Sequence, residues 1–338
     1  MNKHQVGQHF FVGFQGKTFS GFFADLVQEW LPGGIILFTR NIGDKNELAD
    51  LLASIKEAYQ RKDAPLPFIG IDQEGGRVAR LKSPYPQFPS AEELVKAKDE
   101  KAFEENYREI FELLRSFGFN LDFLPVLDVL TNDENKVIGD RSYGTTPEEV
   151  VKFGSKVVTI ARESGIIHCG KHFPGHGMTF ADSHKELPSS DISEKELWET
   201  HINPYYDLCR TGQLDMIMTA HVLFPKIDDK PATFSPYFIR EILREKLQYK
   251  NIVVTDDLEM NAIPLFMQEH HLGQSNSDNF MGDAVSISFE AGNDMALICN
   301  TDKLIFEGLC TTYDRRKQLA KCFEESLPRI LSVKQRYL

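Results

Sequence analysis

The sequence predicts an α/β fold, a single-domain (β/α)8 TIM-type barrel over residues 1–338, on three observations. Eight short apolar runs recur with room for a helix between each pair. Several are apolar throughout, as strands buried on both faces must be. Polar and titratable residues gather at their C-terminal ends, where barrels of this class build their sites. Length alone suggests two domains, but α/β barrels of about 250 residues often carry insertions that bring one domain to this size. No linker or low-complexity segment divides the chain. An open doubly wound sheet has the same alternation, so counting strands does not exclude it.

In chain order the predicted strands are HFFVGF (9–14), GIILFT (34–39), FIGID (68–72), LDFLPVLDV (121–129), HCGKHF (168–173), MIMTAHV (216–222), IVVTDD (252–257) and MALIC (295–299). Between them, NELADLLASIKEAYQ (46–60) and PEEVVKFGSKVVTIARES (147–164) carry apolar residues at helical spacing, with Thr146 as the N-cap of the second. The strand ends hold Asp72, Asp128, Lys171, His172, His221, Asp256 and Asp257, a polar pocket rather than a solvated rim.

Composition excludes several function classes. A net charge of −12 with no Lys/Arg stripe argues against a nucleic-acid partner. KAKDEKAFEEN (96–106) and the C-terminal YDRRKQLAKCFEES mix both signs and read as solvated helix faces. Cys169, Cys209, Cys299, Cys310 and Cys322 form an odd set without a CxxC pair, which fits reduced thiols. The N-terminus lacks a signal-peptide pattern and no apolar run is of membrane-spanning length, so a soluble cytoplasmic protein without a membrane partner is expected. Gly16-Lys17-Thr18 resembles a phosphate loop, but Phe11 stands where its first glycine belongs. His168, His172, His176 and His184 lack the HEXXH pattern, and no metal is expected.

Four segments carry the chemistry. KHFPGHGMTFADSHKELP (171–188) places three histidines and Asp182 on a loop punctuated by Gly and Pro, and Asp182 with His184 can form a dyad in which the carboxylate orients the imidazole. VVTDDLEM (253–260) ends a strand on two carboxylates; neighbours on a strand point to opposite faces, so one of them faces the pocket. A carboxylate there can attack an anomeric carbon, or the pair can simply cap a helix. GIDQEGGRVARL (70–81) sets Asp72 at a strand end with Arg77 and Arg80 beyond a Gly-Gly turn, and VIGDRSYG (137–144) adds Arg141.

In order and spacing these four segments resemble the signature of glycoside hydrolase family 3, in particular its bacterial β-N-acetylglucosaminidases. The resemblance runs from GIILFTRNI (34–42) to AGNDMALICN (291–300), and KHFPGHG followed by DSH is its most specific part. It implies Asp256 as nucleophile, His184 as acid/base and Asp182 as its dyad partner, with Asp72, Arg80, Arg141, Lys171 and His172 binding substrate. It also implies a monomer without cofactors, acting on a small carbohydrate: terminal N-acetylglucosamine linked β-1,4 to anhydro-N-acetylmuramic acid in peptidoglycan recycling. Met178 departs from the family pattern, which has Asp in GHGDT; altered loop stability or selectivity is expected, not lost catalysis. Three other readings stay open: a phosphorylase with phosphate as acceptor, a Schiff-base lyase using Lys171, and a non-catalytic sugar-binding protein.

Overall fold

A computed structural model describes residues 1–180, 187–272 and 279–338. Among these residues eight parallel strands close into a barrel: β1 (Phe10–Val12), β2 (Gly34–Leu37), β3 (Phe68–Ile71), β4 (Leu121–Asp122), β5 (Ile167–Phe173), β6 (Met216–Thr219), β7 (Ile252–Asp257) and β8 (Met295–Ile298). Each pairs with the next, and β8 pairs with β1, Ala296 opposite Phe10 and Ile298 opposite Val12. That last pairing excludes the doubly wound sheet. Each predicted run overlaps one barrel strand.

The regular ladder is shorter than the apolar runs. In 121–129 it covers Leu121–Asp122 alone: Leu124 N turns back to Asp122 O at 2.9 Å, and Pro125 beyond it has no N–H to donate. The chain nevertheless stays extended against β5: Lys171 N donates to Pro125 O at 3.0 Å and Leu127 N to Lys171 O at 2.6 Å.

Alternation along the strands sorts side chains into two cores. Phe11, Ile36, Phe68, Leu121, Ile167, Met216, Ile252 and Met295 fill the barrel interior. Phe10, Val12, Ile35, Ile69, Ile217, Val253 and Ile298 pack outward in the cluster shared with the helices. Gly70 faces inward, where a Cβ would lie 2.8 Å from the Phe123 ring and 2.9 Å from the Leu121 side chain. Leaving out that side chain lets the bulky neighbours share one layer.

Both predicted helices begin behind a side-chain cap, Thr146 being the one expected from the sequence. Lys45–Gln60 begins behind Asp44, whose carboxylate accepts from Asn46 N and Glu47 N. Pro147–Glu163 begins behind Thr146, whose hydroxyl accepts from Glu149 N at 3.3 Å. The mixed-charge run 96–106 crosses a helix boundary: Asp99 caps Glu100–Phe117, and Glu100 and Glu104 pair with Lys152 and Lys156 of the neighbouring helix.

The C-terminal helix Ala320–Tyr337 closes the N-terminal end of the barrel, with Ile330 and Val333 in the inner core. Its polar residues are tied to strand starts. Arg329 pairs with Asp294 at 2.6 Å, and the Tyr337 hydroxyl donates to Asp215 at 2.5 Å. Lys334 is buried, donates to Gln8 Oε1 at 2.7 Å, and lies 5.0 Å from the Phe68 ring centroid.

Burial pushes the Lys334 ammonium down from 10.5 to about 7. Between those values the unfolded chain binds a proton that the folded chain does not, so stability rises with pH through that window. The corresponding penalty, on the order of 4 kcal/mol at pH 7, exceeds the ~1–3 kcal/mol of leaving Gln8 Oε1 unpaired. Lys334→Met is therefore expected to raise the thermal midpoint at pH 7 and to flatten the rise between pH 7 and 10. Unfolding scans across that range that match wild type in slope refute the assignment.

Candidate active site

A cavity of about 880 Å³ opens at the C-terminal end of the barrel, of a size suited to a small ligand. Asp72, Arg80, Arg141, Lys171, His172 and Asp256 all line it. All five predicted substrate-binding residues thus converge on the predicted nucleophile. Asp182 and His184 lie outside the described residues.

Strand register explains the convergence. Asp72 follows Phe68 and Gly70, and Asp256 follows Ile252 and Val254, on the inward face. Continued alternation would then turn Asp257 away. Instead both Asp256 and Asp257 line the cavity, correcting the expectation that one carboxylate faces it. Between the pairs Val254–Met295 and Asp257–Leu297 the register shifts, with one extra residue on β7. The same occurs on β5 between Gly170–Ile217 and Phe173–Thr219, where Lys171 and His172 both reach the cavity. A bulge re-aims the side chain that strict alternation would send outward.

One wall is a chain of ion pairs. Arg80 Nη2 donates to Asp72 Oδ2 at 3.0 Å, and Lys171 Nζ donates to Asp72 Oδ1 at 2.9 Å. Lys171 Nζ also lies 2.6 Å from Glu74 Oε1, and Arg141 holds Glu74 with two bonds of 2.8 Å each. Burial opposes ionisation of Asp72, but Lys171 and Arg80 outweigh it and hold the carboxyl well below the usual range. Glu74 is equally buried, and Arg141 and Lys171 bring it down to about 2. Burial would release the Lys171 proton, yet Asp72 and Glu74 raise its proton affinity. A lysine held as ammonium offers no amine lone pair, which counts against the Schiff-base reading.

The opposite wall carries the paired carboxylates. Asp257 N donates to Asp256 Oδ1 at 2.8 Å. Burial works against Asp256 ionisation, but His172, His221 and that N–H leave its carboxyl below the ordinary value. Burial and the nearby Glu259 and Asp256 charges push Asp257 up to about 7. Adjacent carboxyls therefore lean toward opposite protonation states near neutrality, a separation that acid/base sites exploit. His221 Nε2 bonds the Asp257 carbonyl at 3.0 Å and braces this strand end from behind.

Asp128, read in the sequence as a strand-end polar group without a role, organises the 172–176 turn. Its Oδ2 accepts from His172 N at 3.2 Å and lies 2.7 Å from His172 Nδ1, while its Oδ1 accepts from His176 N at 2.7 Å. Burial opposes its ionisation, and the His172 charge outweighs that. An ionised carboxylate only accepts, so the His172 ring carries a proton at Nδ1 and turns its Nε2 edge away from Asp128. His176, pushed down to about 4 chiefly by burial, is anchored through Nδ1 on Thr179 Oγ1 at 2.8 Å.

Sequence reading missed Glu74 altogether. The available clue was its place two residues after Asp72, before the Gly75-Gly76 turn, whose positive φ angles of 97° and 54° fold the hairpin Gln73–Gly75/Val78–Ala79 over the barrel mouth. Met178 is buried and joins the apolar core instead of lining the cavity, so packing accommodates the departure from the family pattern.

The chain matches the family described as Glycosyl hydrolase family 3 N terminal domain over residues 5–333. A beta-hexosaminidase of Tolumonas auensis is 36% identical over 279 residues, covering 82% of this chain and 78% of that protein. Among solved structures, a glycoside hydrolase family 3 beta-N-acetylglucosaminidase from Paenibacillus sp. str. FPU-7 superposes with a TM-score of 0.92 at 34% identity. It covers all of this chain, which spans 62% of that longer protein. NagZ from Neisseria gonorrhoeae, in complex with N-trifluoroacetyl-D-glucosamine, superposes with a TM-score of 0.77 at 29% identity, covering 97% of this chain and 93% of its own.

Three N–H groups converge on the Asp128 carboxylate, and an asparagine has a single acceptor oxygen to offer them. Asp128→Asn is expected to lose the Nδ1-protonated signature of His172 in imidazole 15N spectra and to cost about 1–3 kcal/mol of stability. An unchanged His172 pattern would remove Asp128 from this role.

Proposed function

Because the chain belongs to glycosyl hydrolase family 3, we propose that it is a retaining β-N-acetylhexosaminidase in which Asp256 is the nucleophile and His184 the acid/base. The observation that carries this reading is the inward, ionised Asp256 facing the wall of paired charges across one cavity.

In the first step an Asp256 carboxylate oxygen attacks C1 of a terminal N-acetylglucosamine. The bond from C1 to the glycosidic oxygen breaks, and protonated His184 gives its proton to the departing oxygen. In the second step water attacks C1 of the glycosyl-enzyme, neutral His184 takes the water proton, and Asp256 leaves as a carboxylate. Two inversions return the original configuration. Asp182 orients His184, whose ordinary pKa of about 6.5 suits both roles near neutrality. His172, Lys171, Asp72, Arg80 and Arg141 take the sugar hydroxyls, supplying donors and acceptors at fixed positions.

The substrate class follows from the relatives named beta-hexosaminidase and beta-N-acetylglucosaminidase. We extend it to N-acetylglucosamine β-1,4-linked to anhydro-N-acetylmuramic acid in peptidoglycan recycling, with the enzyme acting in the cytoplasm as a monomer over residues 1–338.

Nitrophenol release is expected from the β-N-acetylglucosaminide in preference to the β-glucoside, and Asp256→Ala is expected to lower it at least ~10³-fold, the scale on which loss of a covalent nucleophile acts. A variant that retains wild-type turnover would exclude Asp256. His184→Ala is expected to lose far more rate on an alkyl glycoside, whose leaving group needs the proton, than on the nitrophenyl substrate. Equal losses on both would take the acid role from His184.

A further inference from the structure

Resting on the sugar-hydrolase reading, we infer that Glu74 is a positioning residue: a built-in anion that fills an oxyanion receptor formed by Arg141 and Lys171, aligns both for the sugar, and denies that receptor to anions from solvent.

The geometry is that of a bound carboxylate. The Arg141 fork gives Nε to Oε2 and Nη2 to Oε1, both at 2.8 Å. This is the planar two-bond match by which guanidinium recognises carboxylates and phosphates. Lys171 Nζ adds a third contact at 2.6 Å. The Glu74 side chain is 5% exposed and that of Lys171 2%, so the contacts are shielded from water and lose little to screening.

The backbone holds this anion in place. Gln73 N donates to Asp122 Oδ1 at 3.0 Å, and Gln73 Oε1 accepts from Arg80 N at 2.9 Å and Leu81 N at 3.0 Å. At the turn, Gly76 N donates to Phe88 O at 2.8 Å, and a Cβ on Gly75 would sit 2.2 Å from Pro89 O. Glu74 therefore projects from a clamped hairpin.

Charge balance gives the consequence. Arg80, Lys171 and Arg141 stand against Asp72 and Glu74, three cations to two carboxylates. Without Glu74, Lys171 keeps its bond to Asp72, while Arg141 keeps one to Val137 O at 3.1 Å. Two cations then frame an empty place of carboxylate shape. With Glu74 present, the wall offers its remaining hydrogen-bonding capacity to neutral hydroxyls.

Chemical rescue by formate tests this. Glu74→Ala is expected to lower kcat/KM on the nitrophenyl N-acetylglucosaminide about 10²-fold, as misplaced binding groups do, and formate is expected to recover at least ~10-fold of it by occupying the vacated receptor. Glu74→Gln fills the place without the charge and is expected to show no rescue. Wild type is expected to be indifferent to formate. Unchanged kinetics in folded Glu74→Ala, or a loss that formate does not recover, overturns the assignment. If Glu74→Ala does not fold, Glu74→Asp carries the test: it keeps the charge one methylene short and is expected to raise KM without a formate response. A wild-type KM in that variant overturns the positioning role. If wild type itself does not cleave the substrate, the hydrolase reading fails; formate should still raise the thermal midpoint of Glu74→Ala and not of wild type, and no such rise overturns the receptor.

Discussion

Closure of the barrel, completed where Phe10–Val12 pairs with Met295–Ile298, is the constraint on which the rest depends. A closed parallel sheet leaves each strand two directions for its side chains, the axis or the helices. Inward residues of distant segments must then share a narrow volume. Deep in the barrel that volume is filled by Phe11, Phe68, Met216 and Ile252. At the C-terminal mouth the same register brings Asp72 and Asp256, 184 positions apart in the chain, into one cavity.

Polar groups at such a mouth carry a desolvation cost that isolated charges do not recover. The protein meets it by alternation of sign. Arg80, Asp72, Lys171, Glu74 and Arg141 each contact a neighbour of opposite charge. On the opposite wall the proton equilibria of two neighbouring acids diverge: burial and nearby negative charge raise Asp257 to about 7, while His172 and His221 keep Asp256 below the ordinary value. A nearly neutralised wall facing the ionised Asp256 carboxylate is suited to holding a neutral sugar while positive character develops at its anomeric carbon.

The two ends of the barrel divide the work. At the N-terminal end the last helix inserts Ile330 and Val333 and ties Arg329 and Tyr337 to the strand starts. Those contacts serve stability, as that face does in barrels of this class. At the other end, hairpin and loop backbones are pinned by side chains such as Asn135, which donates to His176 O at 2.8 Å. Chemistry placed on pinned loops keeps its geometry without the sheet itself having to move.

The sequence by itself determined the strands, the helix capped at Thr146, and the polar strand ends, because hydrophobic period and capping chemistry act over a few neighbouring residues. It also pointed to Asp72, Arg80, Arg141, Lys171, His172 and Asp256 as one group, through spaced motifs and their resemblance to a family. The alternation favoured a closed barrel, but only the pairing between the two ends of the chain excluded the open sheet. Beyond the sequence were the register shifts that turn His172 and Asp257 inward, because a bulge is defined against a partner strand. Glu74 and Asp128 acquired roles only when distant segments met: a carboxylate's function here is set by which cations and N–H groups converge on it, and that convergence is a property of the folded chain.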